Sequence, residues 1–295
     1  MRLLVTGANG QVGCELRQSL APLGEVIALD RAACDLARPA EVARILRAAT
    51  PDIIVNAAAY TAVDRAEQEE ELATLINGTA VGEIAETARQ LGALLIHYST
   101  DYVFDGRKDA PYAEDDVPSP ISAYGRSKLA GERAIAQCGG RYLIVRTSWI
   151  YAARGHNFLK TVLRLARERD ELRIVDDQIG APTWARDLAA ATAVMSKQAR
   201  QEIARDGFES GLFHVTGSGA TSWFDFAQAV VKQAEQYGLL ARKSKIVPIA
   251  SSEYPVAATR PKNSRLSGAR ARHRFQIALP EWEQSLAVCM RELSA

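Results

Sequence analysis

No stretch of the 295-residue chain approaches the roughly 20 consecutive apolar residues that a membrane-spanning helix needs. The first residues, Met1-Arg2-Leu3-Leu4-Val5-Thr6-Gly7, read as the start of a strand rather than as a secretory leader. A membrane partner is not expected. Charge of one sign is also lacking: 36 Lys and Arg against 35 Asp and Glu leave a formal net charge of +1, so the basic excess of a nucleic-acid binder is missing. Cysteine is scarce. Cys14, Cys34, Cys138 and Cys289 form no C-x-x-C pair, and a chain this long buries a core without staples, which points to reduced thiols and a cytoplasmic location. The histidines His97, His156, His214 and His273 are scattered without metal-ligand spacing and read as structural or surface residues. Hydrophobic residues at 47% exclude wholesale disorder, and the length fits one large domain or two intimate ones.

What is present is a regular alternation of strand and helix patterns. Strands are expected at Arg2–Thr6, Glu25–Asp30, Ile53–Ala58, Ala93–Ser99 and Arg141–Thr147. Between them, Gln11–Leu23, Ala40–Ala49, Leu72–Leu91 and Ala123–Cys138 have helical spacing, the last stopping at Gly139-Gly140. This is the pattern of an α/β fold, a doubly wound parallel sheet of the Rossmann type. After Trp149 the rhythm changes. Helices are expected at Asn157–Arg169, Asp187–Lys197 and Ser222–Gly238, strands at Glu171–Val175 and Gly211–Thr216, and the tail carries Pro248, Pro255, Pro261 and Pro280. A smaller C-terminal substrate-binding region over one end of the sheet follows. The acidic run Glu67–Glu71 reads as a solvated helix face near a helix N-terminus.

Three local patterns carry chemistry. Gly7-Ala8-Asn9-Gly10-Gln11-Val12-Gly13 joins the first strand to the first helix. There Gly7 permits a tight turn, Gly10 lets backbone approach a pyrophosphate, and Gly13 lets helix pack on strand, while the helix N-terminus points N–H groups at phosphates. Asp30 ends the second strand, where a carboxylate binds adenosine ribose hydroxyls; Arg31 beside it suits a 2′-phosphate, so NADH and NADPH both remain open. Asp35-Leu36 is placed either to border the adenine or to cap the next helix. Second, of nine tyrosines only Tyr124 has a lysine four residues on, Lys128, which puts both on one helix face. A phenol with a pKa of about 10 donates protons poorly at neutral pH, and a nearby ammonium lowers that value. Third, Ser99-Thr100-Asp101 follows the fourth strand, so the Thr100 hydroxyl can meet a substrate oxygen opposite Tyr124, or simply cap a turn.

Together these features resemble the extended short-chain dehydrogenase/reductases. Longer segments resemble the dTDP-4-dehydrorhamnose reductase family: Val55 to Asp64, Ser99 to Gly106, Tyr124 to Glu132, Arg146-Thr147-Ser148-Trp149, Asp177 to Thr183 and Arg260 to Leu266, spread over nearly the whole chain. The resemblance implies reduction of the C4 ketone of dTDP-6-deoxy-L-lyxo-4-hexulose to dTDP-L-rhamnose with NADPH or NADH, a step toward lipopolysaccharide or cell-wall rhamnose. It implies that residues 1–148 and 183–216 bind the dinucleotide and residues 149–182 and 217–295 the sugar nucleotide. Carried over residue by residue, Gly7, Gly10, Gln11, Val12 and Gly13 face the pyrophosphate, Asp30 the adenosine ribose, and Asp35 and Leu36 the adenine. Ala59, Tyr60, Thr61 and Tyr98 line the nicotinamide side. Tyr124 is the proton donor, with Lys128 its partner and the holder of the nicotinamide ribose; Thr100, Asp101, Trp149 and Asn157 contact the sugar, a dTDP-4-keto-6-deoxy compound. The related dehydratases carry Asp-Glu after the threonine, whereas Asp101 is followed by Tyr102, which favours plain hydride and proton delivery. Some members bind Mg²⁺ at a homodimer interface through acids; Glu15 fits one such position, but Arg186 stands where another acid belongs. Two alternatives share the fold: a non-catalytic NADP-binding regulatory subunit like the methionine adenosyltransferase β subunit, and a reductase or epimerase of another nucleotide sugar.

Overall fold

The computed structural model describes residues 1–240 and 244–294. Five strands of the central sheet come from the first half of the chain: β1 (Arg2–Thr6), β2 (Glu25–Leu29), β3 (Ile53–Asn56), β4 (Leu94–Thr100) and β5 (Arg141–Thr147). A sixth, β6 (Gly211–His214), is added from the second half. All pair in parallel in the order β6-β5-β4-β3-β1-β2, so the chain reverses direction across the sheet between β1 and β3. The strands β3 and β4 are buried along their whole length, because helices cover both faces. On one face lie α1 (Gln11–Leu20) and α5 (Ala185–Ile203), packing Leu16, Leu20, Leu188 and Met195 against Leu3, Val55 and Val145. Ala271 and Phe275 from the tail join the same cluster. On the other face α2 (Pro39–Ala49) and α3 (Ala80–Leu91) pack Val42, Leu46 and Ile84 on Leu4, Ile54 and Leu95. The doubly wound parallel sheet expected from the alternating pattern is the observed architecture.

The helix expected over Leu72–Leu91 is interrupted. Glu70–Thr74 is α-helical, Leu75–Thr79 forms a π turn, and α3 follows. The widened turn lets Asn77 swing its amide back to the loop after β3, where it accepts from Tyr60 N at 2.9 Å and donates to Tyr60 O at 3.0 Å. The helix α4 (Ala123–Cys138) then lies against this turn so closely that a Cβ on Gly131 would sit 2.2 Å from Asn77 O. A second apolar cluster is built from the helices Phe158–Glu168, Trp223–Gln236 and Trp282–Ser294, around Leu159, Phe226, Trp282 and Leu286. These helices pack on a two-stranded parallel ribbon, Glu171–Val175 with Lys245–Ile249. Ser222 caps its helix by accepting from Asp225 N at 3.0 Å, as the Ser-x-x-Asp pattern predicts. Among the described residues no helix is long and apolar enough to cross a membrane.

Candidate active site

Two elements meet at the carboxyl end of β4. Its last residue, Thr100, caps the short turn Asp101–Val103 by accepting from Tyr102 N at 3.2 Å. The first turn of α4 docks on that turn: a Cβ on Gly125 would lie 2.2 Å from Tyr102 O. Only a glycine allows this approach, and it brings Tyr124 over Thr100. The phenol oxygen faces the Thr100 hydroxyl, and Thr100 Oγ1 donates to Asp101 Oδ1 at 3.1 Å. The Tyr124 ring meets Tyr102 edge-on at 5.5 Å. Burial pushes the Tyr124 phenol up to about 12, so it holds its proton at neutral pH.

The acidic run Glu67–Glu71 is a solvated face only in part: Gln68, Glu70 and Glu71 are exposed, while Glu67 and Glu69 are half-buried. Glu67 Oε1 accepts from Ala123 N at 2.9 Å, and Glu70 holds Arg126 through contacts of 2.7 and 2.8 Å. Glu69 accepts from Tyr60 OH at 2.6 Å. Tertiary contacts therefore turn these acids into clamps on the first turn of α4 and on the loop carrying Ala59, Tyr60 and Thr61. Sequence periodicity has no access to such partners.

The Tyr124–Lys128 pairing takes a different form from the one the spacing predicts. Lys128 is buried, and its Nζ donates to Tyr98 O at 2.7 Å and lies 3.1 Å from His97 Nε2. Burial, not the lysine, sets the Tyr124 proton affinity, and burial also pushes Lys128 down to about 8. Tyr98 presents its carbonyl to this site, while its ring is in the core with the hydroxyl 2.6 Å from Thr192 Oγ1.

Asp101 is buried with Oδ2 unpartnered among the described residues, while Thr100 donates to Oδ1. Burial raises it from 3.8 to about 6. A folded-state value above the unfolded one means that folding carries a charge penalty, absent below about pH 4 and complete above about pH 6. Asp101→Asn is therefore expected to stabilise the fold by roughly 2–3 kcal/mol at neutral pH. Thermal denaturation of both proteins across pH checks this; the gap should close in acid, and a variant less stable than the wild type at pH 7 contradicts it. A strained carboxylate retained at a cleft is what a ligand contact requires.

A dinucleotide fits the turn between β1 and α1. Gly7 adopts φ +67°, and a Cβ there would lie 2.7 Å from Ala58 N; on Gly13 it would lie 2.1 Å from Gly7 O. Gly10 is the N-cap of α1, whose first N–H groups meet no side-chain cap and no acid in the first turn. This open, positively polarised helix end sits at the β1/β3 reversal, the position at which open α/β sheets bind ligands. Asp30 is oriented by Asn9 Nδ2 and Ala33 N, both at 3.0 Å. Arg31 extends into solvent, 3.6 Å from Asp35. The Leu36 side chain is in the core with Leu4 and Leu46, and Val12 packs on the opposite cluster, so both offer mainly backbone to a ligand.

Other expected residues lie apart from Tyr124. Asn157 caps the helix Phe158–Glu168 by accepting from Lys160 N at 3.0 Å and donates to Gln11 Oε1 at 2.8 Å, tying the second cluster to the glycine-rich turn. Trp149 takes a left-handed backbone, φ +48°, and stacks on Trp223 at 3.5 Å. Gly180 makes room, since a Cβ there would be 2.4 Å from the Trp149 ring. Glu15 does not fit a Mg²⁺ site. Arg186 Nε lies 2.9 Å from it, and the same guanidinium reaches Glu292 at 2.7 Å. A fixed cation already stands between two carboxylates, where Mg²⁺ would need oxygen donors.

Arg260, in the stretch that the resemblance assigns to the sugar-nucleotide region, binds Asp64 at 2.7 Å. Other residues escaped sequence reading. His97 lies against Lys128 and is held in turn by Asn56. Trp223 forms the stack with Trp149. Their only common signal is polarity or bulk at the end or interior of a strand or helix, too weak to single them out.

The family described as RmlD substrate binding domain matches residues 1–295. The chain is 52% identical over 295 residues to a dTDP-4-dehydrorhamnose reductase of Burkholderia thailandensis, covering 99% of each. It is 45% identical to the Escherichia coli protein of that name, covering 99% of this chain and 98% of the other. Among solved structures it resembles the Bacillus anthracis dTDP-4-dehydrorhamnose reductase in complex with NADP, with a TM-score of 0.88, 37% identity and 99% of each chain covered.

Proposed function

The chain belongs to the dTDP-4-dehydrorhamnose reductase family, and on that premise we propose that the cleft between the end of β4 and the first turn of α4 is its active site. The reaction is NAD(P)H-dependent reduction of the C4 ketone of dTDP-6-deoxy-L-lyxo-4-hexulose to dTDP-L-rhamnose. The observation that supports this assignment best is the buried row of Tyr124, Thr100 and Asp101, with Thr100 hydrogen-bonded to Asp101, beside the open N-terminus of α1.

When bound, the reduced dinucleotide supplies the hydride. The N–H groups of Gln11 and Val12 would hold its pyrophosphate against the Gly10 backbone, and Asp30 would receive the adenosine ribose hydroxyls, with Asp35 and the Leu36 backbone beside the adenine. Ala59, Tyr60 and Thr61 wall the nicotinamide side, on a loop fixed by Asn77 and Glu69. Tyr124 delivers its phenolic proton to the oxygen developing at C4, and Thr100 aligns that oxygen. Lys128 holds the nicotinamide ribose. Asp101 takes a sugar hydroxyl on its unpartnered Oδ2, and Trp149 packs against the sugar. Asn157 acts through Gln11, fixing the wall between the two ligands. Residues 1–148 and 183–216 serve the dinucleotide, and residues 149–182 and 217–295 the sugar nucleotide. Four unpaired cysteines favour a cytoplasmic setting.

A coupled assay tests the reading. The 4-keto-6-deoxy sugar nucleotide is generated with a dehydratase and an epimerase, and absorbance loss of NADPH and NADH is followed separately. Turnover with formation of the dTDP-L-rhamnose product is expected. No oxidation above the dinucleotide background, with protein that binds NADPH, overturns it.

A further inference from the structure

Three neighbouring strands each place one polar residue on the same row. Thr6 of β1 is in register with Asn56 of β3, and Asn56 with His97 of β4. All three are buried. Thr6 Oγ1 donates to Asn56 Oδ1 at 2.6 Å, and the Ala58 N–H donates to the same oxygen at 3.3 Å. A backbone donor on Oδ1 fixes the amide, so Nδ2 faces His97 Nδ1 at 3.0 Å. An N–H arriving at Nδ1 requires that nitrogen to accept, and the neutral ring then carries its proton on Nε2. Burial keeps His97 well below its ordinary value, so the ring stays neutral.

That Nε2–H meets Lys128 Nζ at 3.1 Å. An ammonium has three donors and no lone pair, and would oppose it. A neutral amine accepts from Nε2–H and still donates to Tyr98 O at 2.7 Å. We propose that the Thr6–Asn56–His97 row is a positioning device for Lys128: in the alkaline range it parks the lysine as a neutral amine against β4, and the lysine leaves that place when it takes up a proton on dinucleotide binding. The proton comes from solvent, and no other bond changes. The ammonium then turns its donors to the ribose hydroxyls, which accept. The proposal rests on the reading that Lys128 faces the nicotinamide ribose.

The titratable and charged groups around Lys128 are consistent with this. Tyr124 and Glu132 lie one turn before and after it on α4, and His97, Asp101 and Tyr102 come from β4 and its turn. From β5, Arg146 binds Glu132 at 2.6 Å. Glu132 alone favours the ammonium, and its charge is already shared with Arg146; burial wins and pushes Lys128 down to about 8.

Calorimetric titration of NADPH into the full-length enzyme, in two buffers of different ionisation enthalpy, counts the protons taken up. At about pH 9, roughly one unit above the Lys128 value of about 8, uptake near 0.9 proton per site is expected, falling toward zero by about pH 6. His97→Gln, whose side-chain oxygen accepts from an ammonium, should lose at least half of that uptake while still binding NADPH. Binding without proton uptake in the wild type, or unchanged uptake in the variant, overturns the proposal and leaves the reductase reading standing. Failure to bind either NADPH or NADH overturns both. Should the variant not fold, nitrogen-15 NMR of the wild type without dinucleotide at the same pH decides: Nδ1 of His97 bare and Nε2 protonated is expected, and the opposite tautomer ends the idea.

Discussion

Tyr124→Phe lowers kcat by about 10²–10⁴-fold, the worth of a general acid, while NADPH affinity stays close to that of the wild type. The variant removes one oxygen and leaves the ring edge-on to Tyr102 at 5.5 Å. The first turn of α4 keeps its other anchors, the Ser122 cap and the Glu67 and Glu70 clamps, so the backbone of the site does not move. The lost contact is that between the phenol oxygen and the Thr100 hydroxyl. Because burial holds the phenol near 12, the wild-type donor is fully protonated at neutral pH, and the lost rate reflects lost proton delivery rather than a changed charge. Dinucleotide binding followed by fluorescence separates the two effects. A variant with full kcat removes Tyr124 from the chemistry; one that has lost NADPH binding as well assigns it to the cofactor site instead.

Much of the site was legible because its signals are local. The glycine spacing from Gly7 to Gly13 encodes a strand–turn–helix junction in which each missing Cβ answers a contact shorter than 3.2 Å. Asp30 is readable as an acid closing a strand. The offset of four between Tyr124 and Lys128 also predicts a shared helix face, but not where a long side chain then turns. Lys128 turns toward acceptors on β4 because a buried amine seeks a carbonyl and a ring nitrogen within reach. The row Thr6–Asn56–His97 requires the register of three strands separated by 50 and 41 residues, which no short window of sequence contains. The Asp64–Arg260 pair spans 196 residues. Glu67–Glu71 shows the opposite failure: a local pattern that reads as solvated is claimed by distant donors. The π turn at Leu75–Thr79 likewise follows from Asn77 being pulled to Tyr60, a tertiary demand on a segment whose own periodicity is unbroken.

The largest loss of stability is expected at Arg146→Met. Arg146 of β5 grips Glu132 of α4 through contacts of 2.8 and 2.6 Å, and the two side chains are only 3% and 5% exposed. The guanidinium also lies over the Phe104 ring at 5.0 Å. Methionine fills that space but leaves Glu132 as a buried carboxylate without its partner, a change worth about 3–5 kcal/mol. Against a typical total of roughly 5–15 kcal/mol, this is a large share of the fold's margin. The attraction of the pair is largely spent on its own desolvation, so removing both charges should cost far less than removing one. Arg146→Met with Glu132→Leu is therefore expected to recover most of the loss, and the double-mutant cycle should show strong coupling. Denaturant midpoints of the four proteins give the answer. A single variant within about 1 kcal/mol of the wild type would mean that Glu132 finds another cation, and Lys128, one turn away on α4, is the candidate. In that case the alkaline proton uptake on NADPH binding would disappear as well, because Lys128 would already be charged.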